Sequence, residues 1–457
     1  MAVVALASCV SCAVGPDYAR PELPAPAAWR HAEPSALGDA EPALAAWWSR
    51  FDDPRLGELV ARALNANREV RIAEARVREA QALRGITRAG LLPQVTATGE
   101  ASPATGSTLS LFFGALDLLW EIDVFGGQRR ALEAAGADLD ASVEDRRAVT
   151  LALLGEVATT YIEVCGLQHR IDAVRRNLAA QEETRDLTLL QRRVGLASDL
   201  VVDRARAQAA LTAAELPPLE VARASAEHRL AVLLGEPPAA LAAELAAPRP
   251  IPAAPETVVV GVPADLLRRR PDLGRAEREL AAATARIGEA TADYFPRFTL
   301  TGAVGLRSDD VQEIVSGGGT FATIGPSVEW PIFAAGRIRA NVAVQDARQA
   351  QALARYEQTL LEALEDVETG LVRHAREQVR RRELRLAVEA NRDAAVLARR
   401  LYANGLAEFL EVLDAERSLL VAESRFVESE AAVSTSLVAL YVALGGGWRE
   451  AEELRLP

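Results

Sequence analysis

The chain has 457 residues, a formal net charge of −13, and 50% hydrophobic against 25% charged residues, enough apolar material for a large folded body and too much for disorder to be the main state. The acidic balance argues against a nucleic-acid partner, whose phosphates demand a basic footprint. Cys9, Cys12 and Cys165, with four scattered histidines, offer neither a disulfide framework nor a metal-ligand spacing.

No phosphate-binding loop, nucleophile elbow or zinc-protease motif occurs either, so neither an enzyme nor a cofactor is expected. Residues 1–8 are apolar and small and run into Cys9, with Cys12 close behind. Such a stretch resembles the cleavable end of a secretory leader. No Arg or Lys precedes it, so the basic start of the leader is expected upstream of Met1. Leu6, Ala7, Ser8 and Cys9 have the form of a lipobox, whose cysteine becomes the lipidated first residue. Residues 1–12 are thus a signal and lipoprotein region. Residues 13–54, with their prolines and Trp47–Trp48, are expected to form an extended strap.

From residue 55 a pattern begins that occurs twice. Trp120 and Gly126 recur as Trp330 and Gly336, and Gly195-Leu196-Ala197 recurs as Gly405-Leu406-Ala407, both at an offset of 210 residues. Leu92-Pro93 recurs as Phe295-Pro296 at an offset of 203. Each copy therefore reads as helix, β-hairpin, long helix pair. The first copy is expected over 55–235 with its hairpin at 93–124, and the second over 264–445 with its hairpin at 296–334. A Pro- and Ala-rich connection, 236–263, joins them, and a tail, 446–457, follows.

Residues 127–194 and 337–404 contain no proline. At about 1.5 Å per residue, unbroken helices there would each reach roughly 100 Å. Val367 and Leu371 and, further on, Leu384, Leu386 and Val388 are read as recurring at helical spacing, which argues for helix-on-helix packing. Gly195 and Gly405 stand where the rods should end. Return helices are expected over about 199–234 and 409–444. The uncharged run 431–448 reads as the end of a packed helix rather than a membrane span, because serines, a threonine and glycines interrupt it.

The hairpins alternate. Phe298, Leu300, Val304 and Leu306 share one parity while Arg297, Thr299 and Thr301 share the other. Leu116, Leu118, Trp120 and Ile122 likewise oppose Asp117 and Glu121. A period of two means one apolar and one wet face, and about ten residues is the length of a membrane strand. Trp120 and Trp330, near the segment ends, suit an interfacial aromatic position. Four strands cannot close a barrel in lipid, where an open edge leaves backbone groups unpaired, so other copies must complete it; three would supply twelve strands.

Several of these landmarks resemble the lipid-anchored outer-membrane efflux factors, relatives of TolC and especially the NodT-type group. The residues are Cys12 followed by Gly15-Pro16-Asp17-Tyr18, the junctions beginning at Trp120 and at Trp330, Asp265-Leu266-Leu267-Arg268-Arg269-Arg270-Pro271-Asp272, and the turn from Tyr402 through Leu410 to Asp414. The resemblance implies an α+β membrane protein: long helical hairpins forming a periplasmic α-barrel, and four strands per protomer in a trimeric 12-stranded outer-membrane β-barrel. It implies a homotrimer that joins a periplasmic adaptor and an inner-membrane RND-type pump to expel drugs, metals or other solutes, with no catalysis and no cofactor. The lipidated residue implied is Cys12, with Cys9 as the alternative. By position Leu410 and Asp414 match the periplasmic gate, and Gly195, Leu196, Gly405 and Leu406 the adaptor-contact tips. The Arg that usually precedes the tip tyrosine is Leu401 here, with Arg400 beside it. Two alternatives stand: a duct for type I protein secretion, or a periplasmic coiled-coil scaffold with no pore.

Overall fold

The computed structural model describes residues 13–22, 26–31, 44–102, 111–255, 263–265, 269–310 and 319–453. Helices dominate: α1 (Pro54–Ala66), α2 (Arg68–Ala89), α3 (Gly127–Arg193), α4 (Asp199–Ala214), α5 (Leu216–Leu233), α6 (Pro271–Ala292), α7 (Arg337–Ala403), α8 (Phe409–Ala443) and α9 (Trp448–Glu453). The strands are β1 (Gln94–Ser102), β2 (Leu111–Ile122), β3 (Arg297–Ser308) and β4 (Thr320–Glu329). The chain gathers into two units.

The first unit contains the four strands, α2, α6 and the opening stretches of α3 and α7. Its sheet is antiparallel in the order β1-β2-β3-β4, so the two hairpins join through β2 and β3 into one sheet. Among the described residues β1 and β4 are its unpaired edges.

The second unit holds the remaining helices around a core of large apolar side chains. Trp47 is fully buried, stacks on Tyr441 with ring centroids 5.5 Å apart, and donates its indole N–H to the Gly446 carbonyl at 3.1 Å. Gly447 is needed beside it: φ is +97°, and a Cβ there would lie 2.7 Å from the Trp47 indole nitrogen. Pro54 starts α1 and Asp53 caps it by accepting from the Arg55 amide at 2.9 Å. Leu56, Leu59, Val60, Ala63 and Leu64 then bury one face.

Two differences from the sequence reading have plain causes. The strap is not extended to its end, because Trp47–Phe51 winds into a buried 3-10 helix whose rings fill the core. The first return helix is two helices, with Pro217 and Pro218 at the start of the second. A proline is tolerated in a first helical turn but removes hydrogen bonds from a helix interior. The long rods are unbroken at 67 residues each. The apolar end of α8 packs inside the unit, with Val433, Leu437, Val438, Leu440 and Tyr441 buried. By length and composition α3 and α8 could each cross a membrane, but most of each apolar window is buried.

Candidate functional site

The residues singled out in the sequence fall in three places: the sheet, the N-terminal segment and the helix tips.

The sheet's register puts residues of one parity on one face across all four strands. Val95 pairs with Leu118, Leu116 with Val304, Trp120 with Leu300 and Phe298 with Val328, giving an apolar face. Thr96 pairs with Asp117, Glu121 with Thr299, and Arg297 with Glu329, giving a polar one. The apolar face is uncovered: Val95, Val304 and Ile324 are 65%, 50% and 75% exposed. A soluble protein would bury such a face. On the polar side Phe113 and Phe321 stack at 5.7 Å, above the gap left by Gly305.

Both predicted interfacial tryptophans sit on the apolar face, at the strand ends. Trp120 donates its indole N–H to the Leu91 carbonyl at 3.1 Å, and Trp330 to the Tyr294 carbonyl at 3.0 Å. The same bond thus recurs in both halves and leaves the ring free to face an apolar phase while its polar atom is satisfied. At the first junction Asp123 accepts from the Arg129 amide at 2.9 Å, capping α3; its counterpart is Phe333, 88% exposed.

Cys9 and Cys12 lie outside the described residues. The segment after them is held tightly. The Val14 amide donates to Phe125 O at 3.0 Å, the Arg130 guanidinium donates to Val14 O and to Asp17, and the Tyr18 hydroxyl donates to Glu277 at 3.2 Å. Burial and the Glu277 carboxylate push the Tyr18 hydroxyl up to about 12. Gly15 crosses Gly288 so closely that a Cβ on Gly15 would lie 2.3 Å from the Gly288 Cα. Ala13 meets Gly126 in the same way. The Gly-Pro-Asp-Tyr motif is therefore a clamp that fixes residue 13 beside the end of β2, a role its sequence did not disclose because every partner is far away in the chain.

At the tips the two halves again repeat. Gly195 has φ +80° and Gly405 φ +71°. Their amides donate to Arg192 O and Tyr402 O, and the amides of Leu196 and Leu406 donate to Gln191 O and Leu401 O. Both are Schellman caps, in which the leucine ordinarily packs back on its helix. Here Leu196 and Leu406 are 79% and 74% exposed. Beneath them Tyr402, Phe409, Val412, Leu413 and Ala205 form a buried cluster. Leu410 and Asp414, one turn apart, lie on the opposite, exposed face of α8.

The sequence reading missed a polar ladder running up from that cluster. Glu416, Glu423 and Glu430 on α8 recur every seven residues. Arg399, Arg392 and Arg385 on α7, and Thr184 and Asn177 on α3, do the same in the antiparallel sense; Arg170, one heptad on, pairs with Glu428 instead. Glu423 accepts from Asn177 and from Arg392, each at 2.8 Å; Glu416 accepts from Thr184 at 3.0 Å and lies 4.0 Å from Arg399. Glu416 and Glu423 are buried, and burial pushes the Glu416 and Glu430 carboxyls above the ordinary carboxylate range. The heptad spacing was visible in the sequence had the charged residues been counted along with the apolar ones.

Cys165 is buried, and burial pushes its thiol up to about 12, which leaves it inert. Among the described residues no three His, Cys, Asp or Glu side chains gather as a metal site.

Comparison with known proteins gives a consistent answer. A family model described as "Outer membrane efflux protein" matches residues 59–236 and 262–446, two stretches that fall one in each half of the internal repeat. Nodulation protein T of Rhizobium leguminosarum bv. viciae is 35% identical over 442 residues, covering 96% of this chain and 91% of that protein. The probable outer membrane lipoprotein SilC of Salmonella typhimurium is 32% identical over 456 residues, 97% of each chain. Among solved structures, the outer-membrane channel OprN superposes with a TM-score of 0.88 at 38% identity, covering 96% of this chain and all of that one.

Proposed function

The chain belongs to the outer membrane efflux protein family, an outer-membrane channel component of efflux, and from that premise we propose that three copies close one duct reaching from the periplasm to the exterior. The sheet carries this reading: one bare apolar face, one polar face and two unpaired edges. In lipid an open edge strands backbone N–H and C=O groups at several kcal/mol each, so the sheet must close with other copies. The polar face then lines a water-filled passage, which removes the cost of taking a polar solute through hydrocarbon. The duct acts by lowering that barrier and performs no chemistry of its own.

The tips supply the proposed contacts with a periplasmic adaptor, which in turn serves an inner-membrane RND-type pump. Leu196 and Leu406 support this, because each occupies a capping position that normally buries its leucine and here leaves it out. The proposed cargo is small solutes. Leu410 and Asp414 are the proposed gate. Three Leu410 side chains meeting in a ring would close by packing and dewetting, and three Asp414 carboxylates would repel one another and bias the ring against tight closure. Single-channel recordings test this: conductance should rise in L410A and change in D414A, and unchanged conductance in both removes these residues from the gate.

For the lipid anchor we propose Cys12 over Cys9. The clamp holds residue 13 beside the end of β2, which supports acylation at the cysteine next to it in the chain rather than one further off. Mass spectrometry of the mature N-terminal peptide should find acyl chains on Cys12. A peptide beginning at acylated Cys9 would overturn the choice.

A further inference from the structure

The internal repeat can be used to derive a contact that a single copy does not contain. The offsets 203 (β1 to β3) and 210 (β2 to β4) come from the sequence alone. They can be checked inside the chain. In the first hairpin Gln94 pairs with Leu119 and Ala97 with Leu116. Shifting each residue by its offset predicts Arg297 opposite Glu329 and Leu300 opposite Pro326, and both pairs are observed. The indole bonds obey the same shifts: Trp120 to Leu91 becomes Trp330 to Tyr294.

The contact between the halves, β2 on β3, has its counterpart between β4 and a β1 that must come from another copy. Ile122 pairs with Phe298, Trp120 with Leu300, Leu119 with Thr301 and Asp117 with Ala303. Resting on the trimeric reading, we infer that β4 of one copy pairs antiparallel with β1 of the next in the register these pairs dictate. Trp330 lies opposite the next copy's Ala97, Glu329 opposite Thr98, and Ser327 opposite Glu100; beyond Trp330 the chain turns, the Ile332 amide donating to the Trp330 carbonyl at 2.9 Å. Because one offset is odd and the other even, the register keeps each face continuous from one copy to the next. It sets apolar-face residues against apolar-face residues and polar against polar, whereas a slip of one would cross the faces. It also places three exposed side chains along one seam: Trp330, Val328 and Val95 are 57%, 59% and 65% exposed in the single copy. Pro331 falls opposite Thr96 and, having no N–H, can give no ladder bond there. One inner contact is not repeated: Phe125 stacks on Phe295 at 4.6 Å, and the equivalent positions are Ala335 and Leu92.

Cysteine pairs in a C165A background, oxidised in outer membranes and run on non-reducing gels, decide the register. Within one copy β1 and β4 are three strand spacings apart, about 14 Å, so T98C cannot reach E329C of its own chain. Directly opposite residues have Cβ atoms about 5 Å apart, and diagonal ones 7–8 Å, outside disulfide reach. T98C/E329C should therefore link copies at least about tenfold more than T96C/E329C or E100C/E329C. E100C/S327C, in the same register, repeats the test should one replacement hinder assembly. Material that is trimeric by size yet links through the slipped pairs, or through none, overturns the register alone. Material that is monomeric in detergent overturns the trimeric reading and the register with it.

Discussion

Gln181 on α3 is 2% exposed, and both ends of its amide are buried with no partner among the described residues. It lies between Asn177 and Thr184, which both serve the glutamate ladder, and contributes to neither tier. A buried amide without hydrogen bonds costs about 1–3 kcal/mol. Q181L keeps the volume and removes the unmet polar atoms, so its denaturation midpoint should equal or exceed that of the parent, by up to about 1 kcal/mol in stability. A clear loss of stability instead would show that the amide meets a group in the assembled protein. Gly15 is the opposite kind of residue, one that the fold cannot replace. Its φ of +90° and its contact with Gly288 leave no place for a Cβ, so the N-terminal clamp depends on a missing side chain.

At the scale of elements, Glu416 is one group through which the helical part responds to pH. Its carboxyl is raised by burial first, with Thr184 and Arg399 opposing. A raised value in the folded state means the native protein holds that proton more tightly than the unfolded chain. The stabilisation is therefore present at acid pH and is lost as pH rises through the folded value. E416Q stays neutral throughout, so its melting temperature relative to the parent should climb between about pH 4 and pH 8. A falling difference would mean that the Arg399 pair outweighs desolvation. Glu430 shifts in the same direction but is present in both proteins and cancels. The rods and hairpins were legible in the sequence because their signals are local: proline-free runs between glycines at positive φ, and a period of two between prolines. The two-part return helix was not, since Pro217 and Pro218 read as an interruption only once the next helix is seen to begin there. The clamp and the ladder were hidden for another reason. Tyr18 and Glu277, or Thr184 and Glu416, are more than 200 residues apart, and only the fold brings them together.

For the molecule as a whole, the polar face of the sheet sets the sign of the passage. By register it carries Glu100, Asp117, Glu121 and Glu329 against Arg297 and Arg307, an acidic excess that three copies would multiply. Acidic linings favour cations. Reversal potentials across a salt gradient should show cation preference, and E121Q combined with E329Q should weaken it. Anion preference would place the selective part of the passage elsewhere.

The doubled hairpin reaches beyond present-day assembly. A ring of three such chains already contains six near-equivalent seats, and a polypeptide of half this length would have needed six identical copies to fill them. With both halves in one chain, each seat is free to differ from its twin. The halves differ at their junctions: one has Asp123 capping the long helix, and the other has Phe333 at that place, 88% exposed.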